Sequence, residues 1–324
     1  VSLRVLQAGL LTTVQDGGRP GHAALGLGRA GAMDRPAWRL GNALVGNVGD
    51  EAALEITLRG PGLRIERATR LALTGAPIDA RLDNVALPPW TAVDAPAGST
   101  LRLGGMRQGC RSYLALRGGI ATEPVLGSRS EDVHARIGPL GGRALRAGDV
   151  LPLGAAFDAA SISRVSVRRW GVDPRSWFDF AMMPIALLPG SHVDALDDDA
   201  RHQLHGARFR VSASSNRTGS RLDGPALHLR APLELISAAV LPGTVQLPPS
   251  GQPIVLMAEA PVTGGYPRIG QIAAADLPRI AQRRPGDAVC FEAVSLAQAL
   301  DRQHDREQQL QRLVQRVIAR GESC

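Results

Sequence analysis

At 324 residues, with 44% apolar side chains, the chain is long enough for roughly two ordinary domains, each with its own core. All 37 basic residues are arginine, giving a formal charge of +7. With no lysine, a Walker A phosphate loop, a Schiff-base nucleophile, a Ser-x-x-Lys pair and covalently attached biotin are excluded, because arginine stays protonated and is a weak nucleophile.

The arginines are dispersed among acids and make no aromatic-interleaved basic stripe, so nucleic acid is not implied. The excess fits an anionic ligand, an acidic partner protein, or simply a codon bias that writes arginine where others write lysine. Aromatics at 3% leave the cores to aliphatic side chains, and 37 glycines with 23 prolines cut the chain into short pieces that favour strands and turns.

In chain order, Leu3 to Val14 predicts one or two opening strands. A glycine-rich loop follows from Gly17 to Gly31. Next comes a helix from Pro36 to Leu44, with Asp34 as its cap and Pro36 in its first turn. Short strands are expected at 54–57, 71–73, 101–103, 112–116 and 150–153, separated by turns such as Ala97-Gly98-Ser99. Ala155 to Ser163 is small and weakly patterned and reads as a linker.

A second β-rich stretch opens with Ile162–Val167 and Ile185–Leu188, then a short helix near Asp197–Leu204 whose aspartates and His205 suit the helix dipole. Further strands are expected at 209–212, 254–257 and 288–293. In the tail, Ser295 and Gln298 form a capping box, and Leu310, Leu313, Val314, Val317 and Ile318 line one face of an amphipathic helix. The divisions expected are 1–155, an N-terminal β-barrel-like domain; 156–294, a C-terminal one; and 295–324, a helix.

Cys110, Cys290 and Cys324 are too few and too scattered for a disulfide framework or a metal site, and suit a reducing compartment. No basic leader or long apolar run is read, so the expected location is cytoplasmic. The run Gly26-Leu27-Gly28-Arg29-Ala30-Gly31 matches a dinucleotide pattern, but a turn precedes it where a buried strand is needed. His192, His202 and His205 resemble a metal-ligand set, but the aspartates at 197–199 read better as a solvated helix start, which leaves any metal unknown.

Polar residues set among glycine and proline carry more chemistry than plain turns. They occur at Thr13-Val14-Gln15-Asp16-Gly17-Gly18-Arg19, Gly31-Ala32-Met33-Asp34, Gln246 to Pro253, and Thr263-Gly264-Gly265-Tyr266-Pro267. Glycine amides can hold phosphate or carboxylate oxygens without lysine, and glutamine amides suit an amide or lactam.

These segments in this order resemble the KipA family, also called allophanate hydrolase subunit 2, the C subunit of 5-oxoprolinase, or the biotin-dependent carboxyltransferase subdomain family. The resemblance continues through Asn42, Leu44-Val45-Gly46-Asn47, Ala53-Leu54-Glu55-Ile56-Thr57, Leu126-Gly127-Ser128-Arg129-Ser130 and Gly251-Gln252-Pro253-Ile254-Val255-Leu256. It implies a mainly β fold of two cyclophilin-like β-barrel units. It also implies a KipI-like B subunit as partner, an A-type hydrolase subunit to complete the reaction, and ATP with magnesium.

The implied activity is that of a subunit of an ATP-dependent 5-oxoprolinase, opening 5-oxoproline to glutamate and active only in complex. The alternatives are a carboxyltransferase component of a urea carboxylase-like system, or a non-catalytic regulator that binds a KipI-like protein. The sequence departs from the family pattern at Asn216, Thr218 and Ser220, where an aspartate, a methionine and an aromatic residue are usual, and at Glu259 and Val262.

The site expected from these motifs has Asp16, Asp34 and Thr263 as catalytic groups. Gln15, Arg19, Gln246, Gln252, Gly264, Gly265 and Tyr266 would bind substrate or nucleotide, with all of them lining one cleft. Asp16 or Asp34 would act as base or hold magnesium, Arg19 would pair with phosphate or carboxylate, and the amides of Gly264 and Gly265 would contact an oxyanion. Asp34 as a plain helix cap is the competing reading.

Overall fold

A computed structural model describes residues 2–154, 162–176 and 184–322. The described residues fall into two compact units. Unit 1 holds those of 1–19, 30–179 and 310–324, and unit 2 those of 20–29 and 180–309. The expected linker at 155–163 lies almost wholly outside the described residues.

Unit 1 contains strands β1 (Ser2–Gln7), β2 (Leu11–Gln15), β3 (Ala53–Thr57), β4 (Gly62–Ile65), β5 (Thr69–Gly75) and β6 (Ile78–Leu82). It continues with β7 (Val85–Ala86), β8 (Thr91–Ala95), β9 (Thr100–Met106), β10 (Arg111–Leu116), β11 (Val150–Pro152) and β12 (Ser166–Gly171). They form two six-stranded sheets, in the orders β11-β1-β4-β9-β6-β7 and β12-β8-β5-β10-β3-β2. Although β12 lies beyond the boundary expected at 155, it pairs with β8 in unit 1, because strand pairing follows register rather than sequence distance.

Leu3, Val5, Leu63, Ile65, Leu101 and Leu103 of the first sheet share one buried cluster with Val14, Leu54, Ile56, Leu71, Leu73 and Leu114 of the second. That core is aliphatic, as the scarcity of aromatics requires. The first sheet alternates buried and exposed residues, interrupted by register shifts near Leu6 of β1 and between β6 and β9, with its other face exposed. The second is buried on both faces along β2, β3 and β10.

The outer face of the second sheet is covered by α1 (Arg35–Val45). Asp34 caps that helix by accepting the Ala37 N–H at 3.1 Å, Pro36 occupies its first turn, and Gly46 closes it at φ 83°. Trp38, Leu40 and Leu44 of α1 cluster with Trp90, Tyr113, Leu310 and Val317. The last two belong to the amphipathic C-terminal helix expected in the tail. Arg320 of that helix stacks over Trp170, 5.5 Å from the ring centroid.

Unit 2 contains α2 (Asp198–Gly206), α3 (Leu277–Ala281) and strands β13 (Ile185–Pro189), β14 (Phe209–Val211), β15 (Gly219–Asp223), β16 (Ala238–Ala239) and β17 (Thr244–Gln246). Its later strands are β18 (Ile254–Leu256), β19 (Thr263–Gly264), β20 (Arg268–Ile272), β21 (Ala288–Val289) and β22 (Phe291–Ala293). Eight of them form one sheet in the order β21-β14-β15-β18-β17-β20-β13-β22. Its two edges, β21 and β22, are neighbours in sequence and are separated only by Cys290, so the sheet curls into a nearly closed barrel. The single strand expected at 288–293 is therefore broken at the closure.

Phe209 and Phe291 meet inside, with ring centroids 6.0 Å apart. The aspartates open α2 and His205 lies in its last turn, as expected, and Asp197 also caps the helix by accepting the Ala200 N–H. The final helix α4 (Leu296–Glu322) starts at the predicted box: Ser295 N–H donates to Gln298 Oε1 at 2.8 Å, and Gln298 N–H donates back to Ser295 Oγ at 3.2 Å.

Candidate functional site

In unit 1, the segment from Ser128 to Glu131 anchors three of the expected site residues. Gln15, fully buried at the end of β2, donates through Nε2 to the Glu131 carbonyl at 2.8 Å and to Thr13 Oγ1 at 3.0 Å. Its Oε1 is buried with no hydrogen-bond partner. Arg19, only 2% exposed, donates through Nη2 to the Ser130 carbonyl, while its Nε and Nη1 are buried and make no hydrogen bond. Among the described residues no carboxylate pairs with it, which leaves a buried cation with two unused donors.

Asp16 is placed differently from the expectation of a reactive base. Its Oδ1 accepts from Gly18 N–H at 2.8 Å and from the hydroxyls of Ser128 and Ser130 at 2.6 Å each, and its Oδ2 accepts from Arg129 N–H at 2.5 Å. Four donors occupy the carboxylate, so its evident work is to hold the loop that carries Arg19 against the Ser128–Ser130 strap. Gly31 closes the same loop: at φ 91° it packs so tightly that a Cβ would lie 2.9 Å from the Gly18 nitrogen.

Glu131 in turn accepts backbone N–H groups of Leu140, Gly142 and Arg143. Burial pushes its carboxyl above the ordinary value of 4.5, against the pull of those three bonds.

The alternation that buries both faces of the second sheet also puts a polar row under α1. Register sets Thr13 beside Glu55 and Glu55 beside Tyr113. Tyr113 Oη donates to Glu55 Oε2 at 2.7 Å and accepts the Asp34 N–H at 2.8 Å. Met33 N–H donates to the same Glu55 oxygen at 2.9 Å, and Arg111 stands 3.6 Å from Glu55 Oε1. Burial first, then the Glu55 charge, pushes the Tyr113 hydroxyl well above its ordinary value, so it remains a neutral donor. Asp34 caps α1 beside this row.

The expected site omitted Glu55, Arg111, Tyr113, Ser128 and Ser130, although two of the family segments contain Glu55, Ser128 and Ser130. A signal was present in a carboxylate inside the otherwise apolar Ala53-Leu54-Glu55-Ile56, since a buried charge needs partners.

In unit 2, Gln246 ends β17 and is 5% exposed. Its Nε2 is buried without a hydrogen-bond partner and lies against Gly264 of β19, where a Cβ would overlap it. The structure thus brings Gln246, Thr263 and Gly264 together, with Gly265 near Ser237 and Tyr266 46% exposed.

Gln252 is differently engaged: Oε1 accepts the Gly224 N–H at 2.9 Å and Nε2 donates to the Gly224 carbonyl at 3.1 Å. Both ends of that amide clamp a turn.

Two of the departures from the family pattern, Asn216 and Glu259, have local explanations; nothing in the structure explains those at Thr218, Ser220 and Val262. Asn216 Oδ1 accepts the N–H groups of Thr218 and Gly219, the job a carboxylate does in such a turn. Glu259 forms a buried ion pair with Arg217, the two side chains 2% and 3% exposed.

Among the described residues no cluster of three His, Cys, Asp or Glu could hold a metal ion, and no helix is long and apolar enough to cross a membrane. His192 Nδ1 instead accepts the Arg268 N–H at 3.1 Å.

These two polar centres lie on a chain with clear relatives. It is 41% identical to the C subunit of a 5-oxoprolinase of Escherichia coli over 317 residues, 97% of this chain and 98% of that protein. It is 31% identical to a putative urea carboxylase of Emericella nidulans, covering 97% of this chain and 26% of that protein. The structure matches the crystal structure of the Kluyveromyces lactis urea amidolyase with a TM-score of 0.85 at 28% identity, covering 96% of this chain and spanning a fifth (20%) of that one. Residues 25–293 match the carboxyltransferase domain, subdomain A and B, and the chain belongs to that family.

Proposed function

We propose that this chain is the C-type subunit of an ATP-dependent 5-oxoprolinase, acting with a KipI-like B subunit and an A-type hydrolase subunit. The name of the Escherichia coli relative, matched along nearly its whole length, supports this reading. The observation that carries it within the chain is Arg19, a buried guanidinium with two unused N–H donors and no counter-ion among the described residues. Such a group is costly unless an anion meets it.

ATP, when bound, supplies the phosphoryl group that activates the amide carbonyl. Arg19 fits an anionic oxygen of either phosphate or substrate carboxylate, as a fork of parallel donors. In unit 1 the unused Oε1 of Gln15 fits an N–H donor, and in unit 2 the unused Nε2 of Gln246 fits a carbonyl oxygen. Magnesium fits less well, because the Asp16 oxygens already accept four hydrogen bonds and Asp34 caps α1. We therefore assign the metal no ligand on this chain.

The test is phosphate release by the complex of this chain with the KipI-like and A-type chains, with 5-oxoproline, other lactams and urea as substrates. The proposal expects turnover with 5-oxoproline that Arg19→Gln abolishes; wild-type turnover in that variant overturns the assignment. A carboxyltransferase role in a urea carboxylase-like system is the second reading, favoured by the fungal relative. It would need carboxybiotin from another protein, and turnover with urea only when a biotin carboxylase and its biotin carrier are added would select it.

A further inference from the structure

Four of the 37 arginines share one exposed face. Arg4, Arg64, Arg102 and Arg81 lie on the exposed face of the first sheet of unit 1, one on each of the adjacent strands β1, β4, β9 and β6. Arg4 is directly opposite Arg64, and Arg102 directly opposite Arg81. Arg102 is opposite Gly62, two residues from Arg64, so the second pair is shifted about 7 Å along the strands and the four make a diagonal row, about 14 Å across three strand spacings.

Like charges directly opposite in a sheet repel. Little on the chain relieves this. Glu66 pairs with Arg4 at 2.6 Å, Asp79 pairs with Arg107 at 3.3 Å, and Asp83 accepts the Thr100 N–H at 2.8 Å. Arg64 and Arg81 have only neutral partners, Thr100 Oγ1 and the Asn84 carbonyl, and none of Arg64, Arg81 and Arg102 has a carboxylate partner among the described residues.

The margin beside Arg4 is aliphatic and open: Val150, directly opposite it, is 45% exposed and Leu6 is 48% exposed. Gly62 and Gly104 keep the face low between the arginines.

We propose that this face docks an acidic surface of another protein subunit. Arginine beside exposed aliphatics is the composition of a subunit interface. The four strands pair with one another, so their backbone N–H groups serve the sheet rather than a phosphate nest, and none of the four carries an aromatic residue to stack bases. A second copy cannot pair with it through the same face, because that would set arginine against arginine. The inference is independent of substrate and needs only that the chain assembles with other chains.

The test uses the tagged full chain purified from its own cells at low salt, then labelled with phenylglyoxal before and after dissociation by high salt. Arg64, Arg81 and Arg102 should react at least tenfold more slowly in the assembly than in the dissociated chain. The double variant Arg64→Glu with Arg102→Glu should keep its melting temperature, lose at least tenfold in affinity for the co-purified chain, and show a flatter salt dependence. Protection of the row by a chain other than a KipI-like one would uphold this inference while removing that partner from the proposed function. Equal labelling in both states, wild-type assembly by the double variant, a chain purified alone, or protection by an oligonucleotide but no protein would each overturn it.

Discussion

Gly264 lies directly against the side-chain amide of Gln246, so that a Cβ on residue 264 would overlap the Gln246 Nε2. The atom met is the far end of a flexible side chain, so Gly264→Ala should displace the amide rather than unfold the barrel. The account expects kcat/KM for 5-oxoproline in the assembled complex to fall at least about tenfold, about 1.4 kcal/mol, with the melting temperature kept within a degree or so. Unchanged kinetics would remove Gln246 from substrate recognition.

Arg19 makes the opposite demand on stability. Removing a buried cation that lacks a counter-ion should leave the fold as stable as before or more so, while a group that meets an anion during turnover is lost. Arg19→Gln is thus expected to abolish turnover without lowering the urea midpoint, and anions such as inorganic phosphate should raise the midpoint of the wild type only. A large loss of stability in the variant would mark Arg19 as structural.

Asp16 separates positioning from chemistry. Asp16→Ala orphans Gly18 N–H, Arg129 N–H and two serine hydroxyls, and should cost more than about 2 kcal/mol by denaturant titration. Replacing Thr263, which is exposed, should cost almost nothing in stability. Equal melting of the two alanine variants would contradict the strap geometry.

Tyr113→Phe tests the row under α1. The change leaves the Asp34 N–H without its acceptor and takes one donor from the buried Glu55 carboxylate, for an expected loss of about 1–3 kcal/mol. Calorimetry on the purified chain would show it.

Two carboxylates of the same loop give opposite pH dependences. The hydrogen bond from Arg143, aided by the Arg146 N–H and nearby arginine charge, holds Asp149 below its ordinary 3.8, against partial burial. Its stabilisation is complete above pH 3.8 and is lost as the pH falls through the lower folded value. Burial raises Glu131 above 4.5, so its ionised form penalises the folded state above the raised value and not below 4.5. Comparing Asp149→Asn with wild type cancels the Glu131 contribution. The stability gap between them should be present at pH 6 and shrink progressively below pH 3.8.

Much of the fold was legible because its signals are local. The caps at Asp34 and Ser295, the acidic start of α2, the alternation in the strands and the stripe from Leu310 to Ile318 all depend on neighbours within a few residues. The site was legible only as motifs. Asp16 meets Ser130 across 114 residues and Tyr113 meets Glu55 across 58, and no spacing rule joins such partners. For the same reason Gln252 reads like Gln15 in sequence, although one amide is fully used by Gly224 and the other keeps a free oxygen.

The most direct test of the central claim is conversion of 5-oxoproline to glutamate, coupled to phosphate release, by a complex reconstituted from this chain, its KipI-like neighbour and an A-type subunit. The account predicts that turnover requires all three chains and disappears when this one is omitted. Full turnover without it, or turnover with urea in place of 5-oxoproline, would contradict the account.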